Sequence, residues 1–198
     1  DPASVPLKEH MPVNPVSPYA VARVSQEMLS KIYSNAYGLD IIITRSFNHI
    51  GPGQSDKFVV SSFAKKLLVA KREGKKMISV GNVDIIRDFV DVRDVVRAYY
   101  LLLKKGIAGE VYNICSGKGH SLKEIIQKLS SLLHMDILLE VDEKLVRPAD
   151  NGIIIGSYEK IKERVGWHPS TPIEKSLQDI IRQPPKKNSM NIINACLR

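Results

Sequence analysis

The sequence predicts an α/β protein with parallel strand pairing. Three observations carry that expectation. Short apolar runs rich in β-branched residues alternate with longer segments of helical period. The strand-like runs are continuously apolar, as in Ile41-Ile42-Ile43, which suits a sheet covered on both faces. Capping residues, prolines and glycines punctuate the junctions. At 198 residues the chain can bury one sizeable core or two small ones.

The elements follow in order. Ser17-Pro18 supplies an N-cap and a first-turn proline, and Val21, Val24, Met28, Ile32 and Ala36 keep helical spacing up to Gly38. Residues 40–47, DIIITRSF, read as a buried strand, and NHIGPGQSD as a loop. Residues 58–73 form an amphipathic helix closed by Gly74. MISVG and IIRDFVDV are short strands on either side of the turn at Gly81-Asn82. A helix over 94–105 stops at Gly106, and a strand covers 110–116. Ser121 and Glu124 form a capping box that opens a helix over 121–134. ILLEV is a strand and KLVRPADNG a polar loop. Ser157 starts a short helix ending near Gly166-Trp167, and Thr171 with Glu174 is a second capping box. The tail, 184–198, has no clear period and is expected to be loose.

Composition removes several function classes. With 43% hydrophobic and 25% charged residues, wholesale disorder is not expected. No apolar run approaches the roughly 18 residues of a membrane span, so no membrane partner is expected. The first residues, DPASVPLKEHMP, have no signal-peptide pattern and no initiator Met, as expected of a chain opening partway through a larger protein. Cys115 lies in an apolar strand pattern, where a buried reduced thiol is the commoner reading, and points to a reducing, cytoplasmic compartment. Half of the +8 net charge comes from Arg182, Lys186, Lys187 and Arg198, and the other basic residues are interleaved with acids. That pattern describes a solvated surface better than a nucleic-acid interface. His10, His120, His134 and His168 show no metal-binding spacing, so no metal is expected.

Tyr19 and Arg23 stand four residues apart, on one face of the first helix. A phenol titrates near 10 (roughly) when unperturbed, so acid–base work near neutrality needs a neighbouring cation. Taken alone, such a spacing more often means a half-buried tyrosine beside a solvated arginine. Ser116-Gly117-Lys118-Gly119 tempts a phosphate-loop reading, but it lacks the earlier glycine of that pattern and the third glycine of a dinucleotide fingerprint.

The ordered set SPYAVAR, RSFNHIGPGQ, RDFVDVRDVVRAY, EVYNICSGKGHSLKEI, VRPAD and GWHP changes the weighting. It resembles the extended short-chain dehydrogenase/reductases that act on nucleotide sugars, in the branch of GDP-4-keto-6-deoxy-mannose reductase and GDP-mannose 4,6-dehydratase. The resemblance runs from about residue 5 to residue 180. It implies the later part of a Rossmann-type doubly wound parallel sheet plus a smaller α/β sugar-nucleotide-binding subdomain, without the N-terminal cofactor-binding half. No GxGxxG fingerprint occurs in the chain. On this division residues 1–57 carry the catalytic helix and a strand of the Rossmann-like domain. Residues 58–183 are mainly substrate-binding, with 88–116 returning to the Rossmann-like sheet.

The resemblance also implies roles. Tyr19 is the catalytic proton donor, and Arg23 stands where the family has a lysine that activates the tyrosine and binds the nicotinamide ribose. Phe47 and His49 fall beside the cofactor, and Asn48 beside the nucleotide sugar. Arg87 and Arg147 match arginines that grip the diphosphate and nucleoside, a task suited to planar multidentate guanidinium. The alternatives are an ordinary cross-strand ion pair with Asp88 for Arg87, a solvated side chain for Arg147 and a turn residue for His49. The implied cofactor is NADP(H), with NAD(H) also open, and the implied substrate a GDP-linked 4-keto-6-deoxyhexose. The implied function is reduction of that sugar, by a chain inactive on its own. A non-catalytic relative acting in binding or regulation, and a nucleotide-sugar 4,6-dehydratase or epimerase, are the alternatives. Val24, Met28, Ile32 and Tyr33 could form a homodimer surface or pack on the sheet.

Overall fold

The computed structural model describes residues 5–146 and 151–183. The chain folds as two compact units. Among the described residues, one contains 5–49, 88–118 and 154–170, the other 50–87, 119–146, 151–153 and 171–183.

In the first unit, helix α1 (Pro18–Tyr37) starts and stops on the expected signals. The Ser17 hydroxyl accepts from the Ala20 N–H, Pro18 opens the helix, and Gly38 closes it in the left-handed conformation (φ 67°). Strand β1 (Ile43–Ser46) pairs in parallel with β5 (Val111–Ile114), in the register Ile43 to Val111. The connecting helix α3 (Val92–Lys105) begins two residues earlier than its sequence suggested, because Asp91 rather than Ser or Thr supplies the cap, accepting from the Arg93 N–H. Helix α5 (Glu159–Val165) follows and ends on left-handed Gly166. Val90, Val95, Ala98, Leu102, Tyr112, Ile114, Ile161, Val165 and Trp167 form the core of this unit. The indole N–H of Trp167, which has no exposed surface, donates to the Asp94 carbonyl at 2.9 Å.

The second unit is built on helices α2 (Val59–Glu73), α4 (Leu122–Leu132) and α6 (Ile173–Arg182), packed pairwise. Strand β3 (Met77–Val80) pairs in parallel with β7 (Leu138–Val141). Leu67, Ile125, Ile126, Leu129, Leu177 and Ile180 are buried here. Ser121 caps α4 as expected, accepting from the Glu124 N–H at 3.0 Å. The final helix opens where the second capping box predicted a helix start. Pro172 occupies the N-cap place of α6, and the Glu174 carboxylate accepts from Lys128 at 2.7 Å.

Short strands carry the chain between the units: β2 (Asn48–Ile50), β4 (Ile86–Asp91) and β8 (Ile153–Ile154). Two three-residue strands, β2 and β6 (Gly119–Ser121), lie where the sequence suggested loops. Three residues are too few to display a period, and their pairing is decided by neighbours distant in sequence.

Helix α1 has no buried residue. Val24 is half-buried, while Met28, Ile32 and Tyr33 are about half exposed or more, at 61%, 54% and 48%. Packing on the chain's own sheet is therefore not how the described residues use this stripe. Among the described residues no helix is long and apolar enough to cross a membrane.

Candidate functional site

The first unit brings Tyr19 and Arg23 into direct contact. One helical turn separates them, so their side chains rise from the same face of α1. The Arg23 Nε–H donates to the Tyr19 phenol oxygen at 3.1 Å, and the guanidinium carbon lies 5.2 Å from the ring centroid. An Arg23 Nη1–H donates to the Gln26 side-chain oxygen at 2.9 Å. Tyr19 is 69% exposed. Because the phenol oxygen accepts from Arg23, its own hydrogen is not consumed by that bond.

On its inner side α1 is tied to β1 by an ion pair. Arg45 donates through Nε and Nη2 to both carboxylate oxygens of Glu27, at 2.9 and 2.8 Å, and through Nη1 to the Glu9 carbonyl. That bidentate geometry is the strong form of an arginine–carboxylate contact. It holds the Glu27 carboxyl below the usual carboxylate range, Arg45 being the main cause and Lys31 a further one. The helix bearing Tyr19 is thereby fixed to the strand leading to Phe47, Asn48 and His49.

Phe47 is half-buried, whereas Asn48 and His49 are exposed. Phe47 is held by its N–H, which donates to the Ile114 carbonyl at 2.9 Å, and by close packing against Gly156. A Cβ on Gly156 would stand 2.5 Å from the Phe47 ring and 2.7 Å from Cys115 Sγ, so only glycine fits. Burial of Cys115 pushes its thiol far up from the ordinary value, with the Asp88 charge adding to the effect. The expectation of a buried thiol at this position stands.

Asp88 is a residue whose role sequence reasoning missed. Its fully buried carboxylate accepts four hydrogen bonds from three sequence-distant groups. The Ser116 N–H and hydroxyl reach one oxygen at 2.7 and 2.6 Å, and the Gly117 and Gly156 N–H groups reach the other at 2.9 and 3.2 Å. The Ser116–Gly119 segment is thus a turn wrapped on a carboxylate, which explains why no phosphate is needed to satisfy its N–H groups. Desolvation raises the Asp88 carboxyl above its usual range, while the donors from Ser116, Gly156 and Gly117 pull the other way. Neighbouring side chains on a strand point to opposite faces, so Arg87 is directed away from this clamp.

Arg87, in the second unit, is largely buried, and its Nη1–H donates to the Ile86 carbonyl at 2.9 Å. Arg147 lies outside the described residues. Among the described residues no cluster of three or more His, Cys, Asp or Glu side chains could hold a metal ion.

Residues 1–180 match the family model described as GDP-mannose 4,6 dehydratase. The chain belongs to that family. Among curated members, GDP-6-deoxy-D-mannose reductase of Pseudomonas aeruginosa is 36% identical over 90% of this chain and 59% of its own length. GDP-6-deoxy-D-talose 4-dehydrogenase of Aggregatibacter actinomycetemcomitans is 32% identical over 81% of this chain and 52% of its own. The solved structure of RMD from Pseudomonas aeruginosa complexed with NADPH superposes with a TM-score of 0.85 at 35% identity, covering 91% of this chain and 60% of that one. The chain thus spans about half to three-fifths of the length of these GDP-mannose 4,6 dehydratase family relatives. That share agrees with the later part of a Rossmann-type fold, as the motifs implied.

Proposed function

We propose that this chain is the catalytic-helix and sugar-nucleotide-binding portion of an NADP(H)-dependent reductase acting on a GDP-linked 4-keto-6-deoxyhexose. The observation that supports it most is the Tyr19–Arg23 contact, in a chain two of whose curated relatives are named for GDP-6-deoxy sugars. An exposed phenol with a guanidinium donor on its oxygen suits a nicotinamide site, where a proton must be delivered beside the ring. Arg23 would face the ribose, and Phe47 and His49 would line the nicotinamide end. When bound, the cofactor supplies a hydride.

The chain's own work is then proton transfer and binding. As the sugar carbonyl oxygen gains negative charge, Tyr19 donates its phenolic proton to it. The Arg23 Nε–H, already on the phenol oxygen, stabilises the phenolate that remains. Asn48 hydrogen-bonds the sugar, and Arg87 and Arg147 clamp the diphosphate.

A second reading, a non-catalytic relative that keeps the fold for binding, is favoured by arginine at the lysine position. Arginine keeps the charge but differs in bulk and fork geometry. The deciding experiment restores the upstream segment, supplies NADPH and a GDP-4-keto-6-deoxyhexose, and compares the natural sequence with Arg23→Lys. NADPH oxidation by both proteins is expected. Sugar-nucleotide binding without oxidation in either would establish the non-catalytic reading.

A further inference from the structure

Arg23 raises a geometrical problem that its identity alone does not solve. A guanidinium on a long side chain has much rotamer freedom, and on an exposed helix face nothing in its own covalent structure aims it at a phenol. The structure supplies a second anchor. Gln26 stands three residues beyond Arg23 and seven beyond Tyr19, two helical turns along the same face. Its side-chain oxygen accepts from Arg23 Nη1 at 2.9 Å, while Nε meets the Tyr19 oxygen at 3.1 Å. The two bonds leave the planar group from different nitrogens, so together they fix both its position and its plane.

We propose that Gln26 is a positioning residue that orients the Arg23 guanidinium toward the Tyr19 hydroxyl. This inference rests on the reading of Tyr19 as proton donor for its meaning, but not for its geometry. A lysine ammonium, a compact point charge with three rotatable donors, needs no such second acceptor to define a plane. Arginine does, because its donors sit in a rigid fork. Gln26 thus converts a side chain of variable aim into a fixed one, and leaves Nη2 as the nitrogen directed neither at Tyr19 nor at Gln26. Glutamine suits the task because it accepts without adding a charge that would offset the guanidinium. Gln26 is itself exposed, so its replacement tests orientation rather than folding.

The test measures the 15N relaxation of the Arg23 Nε–Hε group in the 198-residue chain, assigned by its loss in Arg23→Lys. In the natural sequence the order parameter is expected near that of the helix backbone, about 0.85. In Gln26→Leu it should fall below about 0.6, the flexible range. Gln26→Glu, which keeps an acceptor at the same place, should restore it. Circular dichroism of Gln26→Leu should match the natural chain. An Arg23 signal equally ordered in Gln26→Leu, or mobile in the natural chain, overturns the proposal. Failure of the catalytic reading is seen separately, as full NADPH oxidation by Tyr19→Phe in the upstream-restored protein, with Arg23 still ordered.

Discussion

Tyr19 and Asp88 are both acids held by hydrogen-bond donors in the same folded unit, and their surroundings are opposite. Tyr19 is 69% exposed and, among the described residues, meets a donor from its own helix, one turn away. Asp88 has no exposed surface and is met by Ser116, Gly117 and Gly156, 28 to 68 residues away. The buried group organises the polypeptide and pays for its desolvation with four hydrogen bonds. The exposed group organises almost nothing, which leaves its proton free for a substrate. The exposed pair can therefore be altered with little cost to the fold, while the clamp beneath Phe47 has little freedom.

The largest expected effect breaks the buried side of this contrast. Asp88→Ala removes the acceptor from four donors and is expected to destabilise the chain by about 3 kcal/mol or more, read as a lower urea midpoint. A change within about 0.5 kcal/mol would mean that Ser116, Gly117 and Gly156 find other partners and that Asp88 is no clamp.

An intermediate effect is expected at the Glu27–Arg45 pair, which ties the exposed helix to the buried strand. Glu27→Gln should cost about 1 kcal/mol at neutral pH, the pair being partly buried and bidentate. The folded-state pKa of Glu27 is depressed, so the ionised form stabilises the fold. That stability is fully present above the unfolded-state value and is lost as pH falls through the folded one. Thermal melts of the two proteins should therefore converge on acidification below the ordinary carboxylate range. Melting curves separated by the same interval at every pH would contradict the assignment.

The smallest effect sharpens the exposed side. Tyr19→Phe should leave stability within about 0.5 kcal/mol of the natural chain in the same urea titration. A larger loss would place Tyr19 among the structural residues and weaken the proton-donor reading.

Much of the architecture was legible because its signals are local. Ser17, Pro18 and Gly38 bound α1, and Ser121 caps α4, through contacts within three or four residues. The run Ile41-Ile42-Ile43 announced a parallel strand, although its ladder begins only at Ile43. The Tyr19–Arg23 pair was legible for the same reason, since helical spacing alone brings the two together. Gln26 lay within the same window, but its part depends on a rotamer that spacing does not specify.

What the sequence by itself determined is the set of helices, their ends, the parallel α/β class and the helix-face pairing of Tyr19 with Arg23. Each depends on the period of the backbone and on side chains a few residues apart. Tertiary structure alone decided that Asn48–Ile50 and Gly119–Ser121 are strands, that Glu174 meets Lys128, and that Asp88 clamps Ser116, Gly117 and Gly156. Those outcomes depend on which distant donors and acceptors folding buries together, because a buried polar group must take the partner that packing brings to it.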